Sequence, residues 1–203
     1  MGFSPRQIGI VLFDGVEELD AIGPWEVLAT WTAKHPDDGY EVLCLSPDGK
    51  PVTAAKGLSI GAHRGFGEAP RLDVLLHPGG RGTRVLLAGE AYLDRVRAWR
   101  AEATLLTSVC TGSLVLAAAG LLRDRPATTH WSALAELSAL DPTIEIRPDD
   151  RYVDDSDVIT SAGVSAGIDM ALHLVSRLAN HARAEEVRRY IQYDSQPQRL
   201  VAT

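Results

Sequence analysis

Cysteine is nearly absent from this chain: the 203 residues include two, Cys44 and Cys110, in neighbourhoods that share nothing. A disulfide framework and a cysteine-built metal cluster are therefore not expected, and a reducing, cytoplasmic setting is. Aromatic residues are scarce at 6%, and 20 Lys and Arg face 27 Asp and Glu, for a formal net charge of -7. A chain this acidic has no general electrostatic hold on nucleic acid or an anionic membrane, so a small or neutral partner fits better. The N-terminal MGFSPRQ lacks the apolar stretch and small-residue cleavage site of a secretory signal, so export is not expected. Long apolar runs are also missing. The least charged stretch, residues 103–122, has the length of a membrane span, but its centre from Thr107 to Ser113 is polar and turn-like. It reads as a buried strand, a sharp turn and a buried helix.

What remains is ordinary globular composition, 45% hydrophobic and 23% charged with 18 Gly and 11 Pro. No repeat or linker interrupts it, so one domain over 1–203 is expected. Short apolar runs at 8–13, 40–46, 72–77 and 105–109 read as strands buried on both faces. Leu58 to Ala62 reads as an edge strand, and residues 152–153 and 158–160 as short strands. A helix follows the first strand, with Pro24 placed in its first turn and Asp20 just ahead of that turn. Leu93, Val96 and Trp99 mark one face of another helix. Further helices are read over 112–122 and 132–140, and Val164, Ile168, Ala171, Leu172, Val175 and Leu178 lie along one long amphipathic helix. The alternation implies an α/β fold with a mainly parallel sheet covered on both faces, and ligands outside the carboxyl ends of its strands.

Cys110 ends an apolar strand and precedes Thr111-Gly112-Ser113 and a helix, the context of a nucleophile elbow. Such a position holds the thiol out of the sheet, and the helix N-terminus is expected to lower its pKa. The plainer alternative is a buried cysteine acting as a small hydrophobe, the reading that suits Cys44 in its strand. Gly79-Gly80 ends another strand, where bare N–H groups, with that of Thr111, could form an oxyanion hole. A turn needing positive φ explains the pair as well. Asp20 could exchange protons with whatever Cys110 attacks, or could cap its helix, with Glu17 and Glu18 competing for either role. His130, in Ala-Thr-Thr-His-Trp, could pair with Cys110 or serve as an ordinary hydrogen-bonded residue. The histidines show no metal-ligand spacing, and phosphate-loop and dinucleotide fingerprints are missing, so neither metal nor cofactor is expected. The basic run from Arg183 to Arg189 contains Glu185 and Glu186 and reads as a solvated helix face.

Four segments, LFDGVEELDAIGPWEVL from Leu12, HPGG from His77, TSVCTGSLVLAAAGLLRDR with ATTHW from Thr107 to Trp131, and SAGVSAGIDMAL from Ser161, together resemble the ThiJ/PfpI superfamily of glutamine-amidotransferase-like proteins. The resemblance implies a flavodoxin-like three-layer α/β/α sandwich with a cysteine elbow, assembled as a homodimer. Protease-like members carry a histidine directly after the cysteine, where this chain has Thr111, which argues against a peptidase. Asp20, the Cys110-Thr111-Gly112-Ser113 segment and the tail from Tyr193 to Pro197 look most like the isocyanide hydratase branch. That likeness implies a cofactor-free hydro-lyase with Cys110 as nucleophile, Thr111 beside an isocyanide substrate and Asp20 handling protons. A redox- or ligand-sensing protein of the same fold would also use Cys110. A similar module occurs in regulators fused to a helix-turn-helix region, but the chain stops at Thr203, roughly where such a reader would begin. Two positions depart from the hydratase pattern: His77 stands for an aliphatic residue before Pro-Gly-Gly, and Gln198 for an aromatic in the tail.

Overall fold

The computed structural model describes residues 4–193. In chain order its elements are β1 (Arg6–Val11), α1 (Glu18–Lys34), β2 (Tyr40–Ser46), β3 (Val52–Thr53), β4 (Ser59–Ile60), β5 (Arg64–Gly65), β6 (Val74–His77), α2 (Thr83–Leu87) and α3 (Glu90–Glu102). They continue with β7 (Leu105–Val109), α4 (Gly112–Ala118), β8 (Pro126–Ala127), α5 (Leu134–Leu140), β9 (Glu145–Ile146), β10 (Tyr152–Asp155), β11 (Val158–Ser161), α6 (Ala166–Leu178) and α7 (His181–Tyr190).

Seven strands form one sheet in the order β10-β11-β7-β6-β1-β2-β5. Every pairing is parallel except β10 with β11. Parallel strands need crossovers that bring helices onto both faces, and the central strands are apolar without alternation for that reason. Ile8, Ile10, Val11, Leu75, Leu76 and Leu106 are all fully buried. Helices α1, α6 and α7 pack on one another as one group, and α4 packs with α2, α3 and α5 as another. Gly167 of α6 lets that helix approach Val109 and Pro24 closely.

The chain runs from β1 to β2 on one side and then crosses to β6 on the other side of β1. Such a reversal leaves a crevice at the carboxyl ends of the strands, the place where open α/β sheets take ligands.

The structure differs from the sequence reading in three local ways. Helix α1 starts at Glu18, so Asp20 lies inside its first turn and Pro24 in its interior. Proline there removes the hydrogen bond back to the Asp20 carbonyl and crowds that carbonyl with its ring, and packing of the buried face offsets the cost. The edge strand read at 58–62 is instead β4, which pairs with β3 in a separate antiparallel ribbon. A third small pairing, β8 with β9, lies in segments too short and polar to show period-two alternation. The segment from 103 to 122 does form strand, turn and helix, and no described helix is long and apolar enough to cross a membrane.

Candidate active site

Four strand ends meet at one place. Asp20 follows β1, Gly79 and Gly80 follow β6, Cys110 follows β7, and Gly163-Val164 follow β11.

Cys110 has φ +56, left-handed backbone that costs a non-glycine residue on the order of 1 kcal/mol or more and persists only when its surroundings hold it. They do so from every side. Its N–H donates to the carbonyls of Ser161 at 3.0 Å and Ala162 at 3.2 Å. Its carbonyl accepts from the hydroxyls of Thr129 at 2.9 Å and Ser113 at 3.1 Å. Gly112 comes next because a Cβ there would stand 2.1 Å from the His77 carbonyl oxygen.

Asp20 is fully buried. One carboxyl oxygen accepts the Gly79 N–H at 3.1 Å and the other the Val164 N–H at 3.2 Å. The Cys110 thiol lies beside this carboxyl group and favours its ionised form. Burial, only partly countered by these bonds, pushes the Asp20 pKa up to about 7, and Glu17 nearby pushes the same way. Glu17 and Glu18 bond Lys56 instead, and none of the three acids caps the helix, so Asp20 alone of them lies beside Cys110.

The thiol corrects one expectation. Burial, and next the negative Asp20, push the Cys110 pKa up to about 12, outweighing the Thr111 N–H and hydroxyl that favour the thiolate. Cys44 is also pushed up to about 12, by burial alone. At rest Cys110 is a neutral thiol beside a carboxyl group that titrates near neutrality.

The two glycine N–H groups expected to receive an oxyanion are engaged within the protein. That of Gly79 holds Asp20, and that of Gly80 donates to the Thr111 hydroxyl at 3.0 Å. Gly79 is there for space, since a Cβ would lie 2.5 Å from the Thr111 nitrogen and 2.9 Å from the Asp20 carboxylate. His130 caps the turn after it, its Nδ1 2.8 Å from the Ser132 hydroxyl and accepting the Ser132 N–H at 3.3 Å. Its ring lies against Gly163, where a Cβ would come within 2.1 Å of Cδ2. In the ATTHW segment it is Thr129, not His130, that bonds the elbow.

His77 is fully buried, with Nδ1 2.8 Å from the Pro78 carbonyl and Nε2 2.8 Å from the Tyr92 hydroxyl. A carbonyl only accepts, so Nδ1 carries the hydrogen and Nε2 accepts from Tyr92. Burial lowers its pKa to about 4, keeping it neutral. This departure from the family pattern therefore fills the core with a polar pair rather than reshaping the crevice. The other departure, Gln198, and the tail segment from 194 lie outside the described residues.

Sequence reasoning missed Val164, whose φ of +58 is unusual for a β-branched residue and turns its N–H toward Asp20. It was read only as the start of an amphipathic helix. Gly163 before it was the available signal of a sharp turn.

A buried acid beside a cysteine on a strained elbow, at the switch point of a parallel sheet, is the architecture of cysteine-elbow α/β proteins. The sequence matches the DJ-1/PfpI family over residues 6–177, and the chain belongs to that family. It is 42% identical over 192 residues to the isonitrile hydratase of Pseudomonas putida, across 94% of this chain and 80% of that protein. A ThiJ/PfpI family protein from Pseudomonas syringae, known from its crystal structure, matches with a TM-score of 0.84 and 33% identity over 98% of this chain and 79% of that one. An HTH-type transcriptional regulator of Pseudomonas aeruginosa is 31% identical over 174 residues, covering 86% of this chain but only 47% of the regulator.

Proposed function

We propose that the protein is an isocyanide hydratase that converts R–NC and water to the N-substituted formamide through a covalent adduct on Cys110. The observation that carries the reading is the buried Asp20 carboxyl group beside the Cys110 thiol. The 42% identity to an isonitrile hydratase over most of both chains supports the substrate class.

The chemistry follows from the protonation states. An isocyanide carbon becomes electrophilic as it is protonated, so addition of a thiol S–H across that one carbon suits it better than attack by a free thiolate. Asp20 as carboxylate takes the thiol proton and delivers it to the carbon as the sulfur attacks. The S–H bond breaks, C–H and C–S bonds form, and the product is R–N=CH–S–Cys110 with Asp20 again ionised. Asp20 next takes a proton from water as its oxygen adds to the carbon, and passes that proton to nitrogen. The C–S bond of R–NH–CH(OH)–S–Cys110 then breaks, and the hydroxyl proton returns through Asp20 to sulfur. One formamide leaves and the thiol is restored. The Thr111 N–H and hydroxyl favour charge on sulfur while it is transiently deprotonated. Trapping tests this directly: acid quenching during turnover should give a protein heavier by one isocyanide, with the added mass on the Cys110 peptide.

A sensor is the second reading, supported by the similarity to a transcriptional regulator. Its redox form is less well supported, because oxidation needs thiolate and burial opposes it here. We further infer a cytoplasmic homodimer that works without metal or cofactor; the partly exposed Leu19 and Ile22 of α1 and Leu58 supply apolar surface for a second copy, and light scattering tests the assembly.

A further inference from the structure

Behind the elbow, two buried hydroxyls have no partner. Ser108 of β7 and Thr128, just past β8, are both fully buried, and neither the Ser108 Oγ nor the Thr128 Oγ1 makes a hydrogen bond among the described residues. A third buried hydroxyl, that of Thr160, links their positions. Thr160 is the cross-strand neighbour of Ser108 in the pairing of β11 with β7, and its Oγ1 accepts the Thr128 N–H at 2.9 Å. That bond uses the Thr160 oxygen, while its hydrogen finds no acceptor among the described residues.

The sheet puts these groups in one layer. Val109 meets Gly167 of α6, so Ser108, one residue earlier, faces the opposite side, where α4 packs. Residues in register on neighbouring strands share a face, which places the Thr160 hydroxyl there too. The Thr128 N–H reaches Thr160 from that same side.

A buried hydroxyl left without a partner forfeits the hydrogen bonds it made in water, so such groups are rare in folded proteins. Three hydroxyl hydrogens without acceptors in one place point to a shared partner. Water has the matching valence, since it accepts two hydrogen bonds and donates two, and a buried water makes about three bonds to polar groups that otherwise lack them. It also spans hydroxyls too far apart to bond one another directly.

We propose that one buried water binds Ser108, Thr128 and Thr160, accepting from two of the hydroxyls and donating to the third. The water thereby joins β7, which presents Cys110, to the segment whose Thr129 hydroxyl holds the Cys110 carbonyl. It is a fixed part of the support of the elbow, and it stands whether or not the protein hydrates isocyanides.

The test has a structural and an energetic arm. A crystal structure of the wild-type protein, at a resolution that orders solvent, should show one water within about 3 Å of all three hydroxyl oxygens. In Thr128→Val, which keeps the shape and removes the hydroxyl, that peak should weaken or vanish. The sign of the stability change in the same variant separates the two possibilities. A hydroxyl bonded to water contributes a net hydrogen bond, so its loss should raise the unfolding equilibrium constant roughly fivefold in denaturant titrations. A hydroxyl that is buried and unpaired costs stability, so its replacement by a methyl should lower that constant instead.

An unaltered or lowered unfolding constant in Thr128→Val would overturn the proposal. So would a wild-type crystal structure without the water, or one in which the three hydroxyls bond one another directly.

Discussion

Asp20 stands beside the Cys110 thiol although the two follow strands on opposite sides of β6, and the backbone of two further strand ends holds its carboxyl group there. The pair carries one mobile proton near neutral pH. Asp20 titrates at about 7 and Cys110 at about 12, so above neutrality the proton is on sulfur and the base is ionised beside it.

A pH profile should show this. Below about pH 7 the protonated Asp20 cannot take the thiol proton, so kcat/KM for the isocyanide should fall tenfold per unit and level off above that pH. Asp20→Asn should lose the acid limb and at least about 100-fold in rate. Stopped assays from pH 5 to 9 check both.

Removing the carboxylate should also separate reactivity from catalysis. The negative charge of Asp20 is one of the groups holding the Cys110 pKa up. In Asp20→Asn the thiol should therefore alkylate faster than in wild type at pH 7 to 8, even as hydration is lost. Slower alkylation would show instead that Asp20 activates the thiol at rest.

Gly79→Ala should damage the site sterically. Its Cβ would meet the Thr111 nitrogen at 2.5 Å and hydroxyl at 2.7 Å, backbone and side chain that cannot both withdraw. We expect a loss of roughly 2 kcal/mol or more in denaturant unfolding together with near-complete loss of turnover. Gly67→Ala, which meets nothing within 4 Å, should change neither.

Two buried groups give opposite pH slopes to stability. Asp20 titrates at about 7 when folded against an ordinary 3.8, so the native state holds a proton the unfolded chain has lost, and this contribution is lost as pH rises from about 4 through 7. His77 titrates at about 4 against 6.5, so its contribution is lost as pH falls through the same window. His77→Leu removes the second slope, worth roughly 3 kcal/mol across the window. Unfolding of the variant should then show stability falling more steeply from pH 4 to 7 than wild type, with a pH-independent penalty for the unpaired Tyr92 hydroxyl. Parallel pH curves for the two proteins would contradict this assignment.

The strands that position the site were legible because apolar runs such as Ile8 to Val11 and Leu105 to Val109 have few other uses. Cys110 was legible for the same reason, since a thiol, a small residue and a helix directly after such a run describe an elbow. The state of its proton was not. Helix position argued for an acidic thiol, but the burial and the carboxylate that reverse this come from residues distant in sequence. The positive-φ turn at Gly79-Gly80 was legible and Gly80 has φ +123, while the donors read as open to a substrate could be assigned only once Asp20 and Thr111 were seen to occupy them. Val164 carried no signal beyond the Gly163 before it, as its role rests on which way its N–H turns.

The central claim is tested most directly by incubating the purified protein with an alkyl isocyanide and identifying the product by mass spectrometry and NMR. The account predicts catalytic formation of the N-alkyl formamide by wild type without added cofactor, and none above background by Cys110→Ser, whose hydroxyl is far less ionised. No formamide from wild-type protein, or equal turnover by Cys110→Ser, would contradict it.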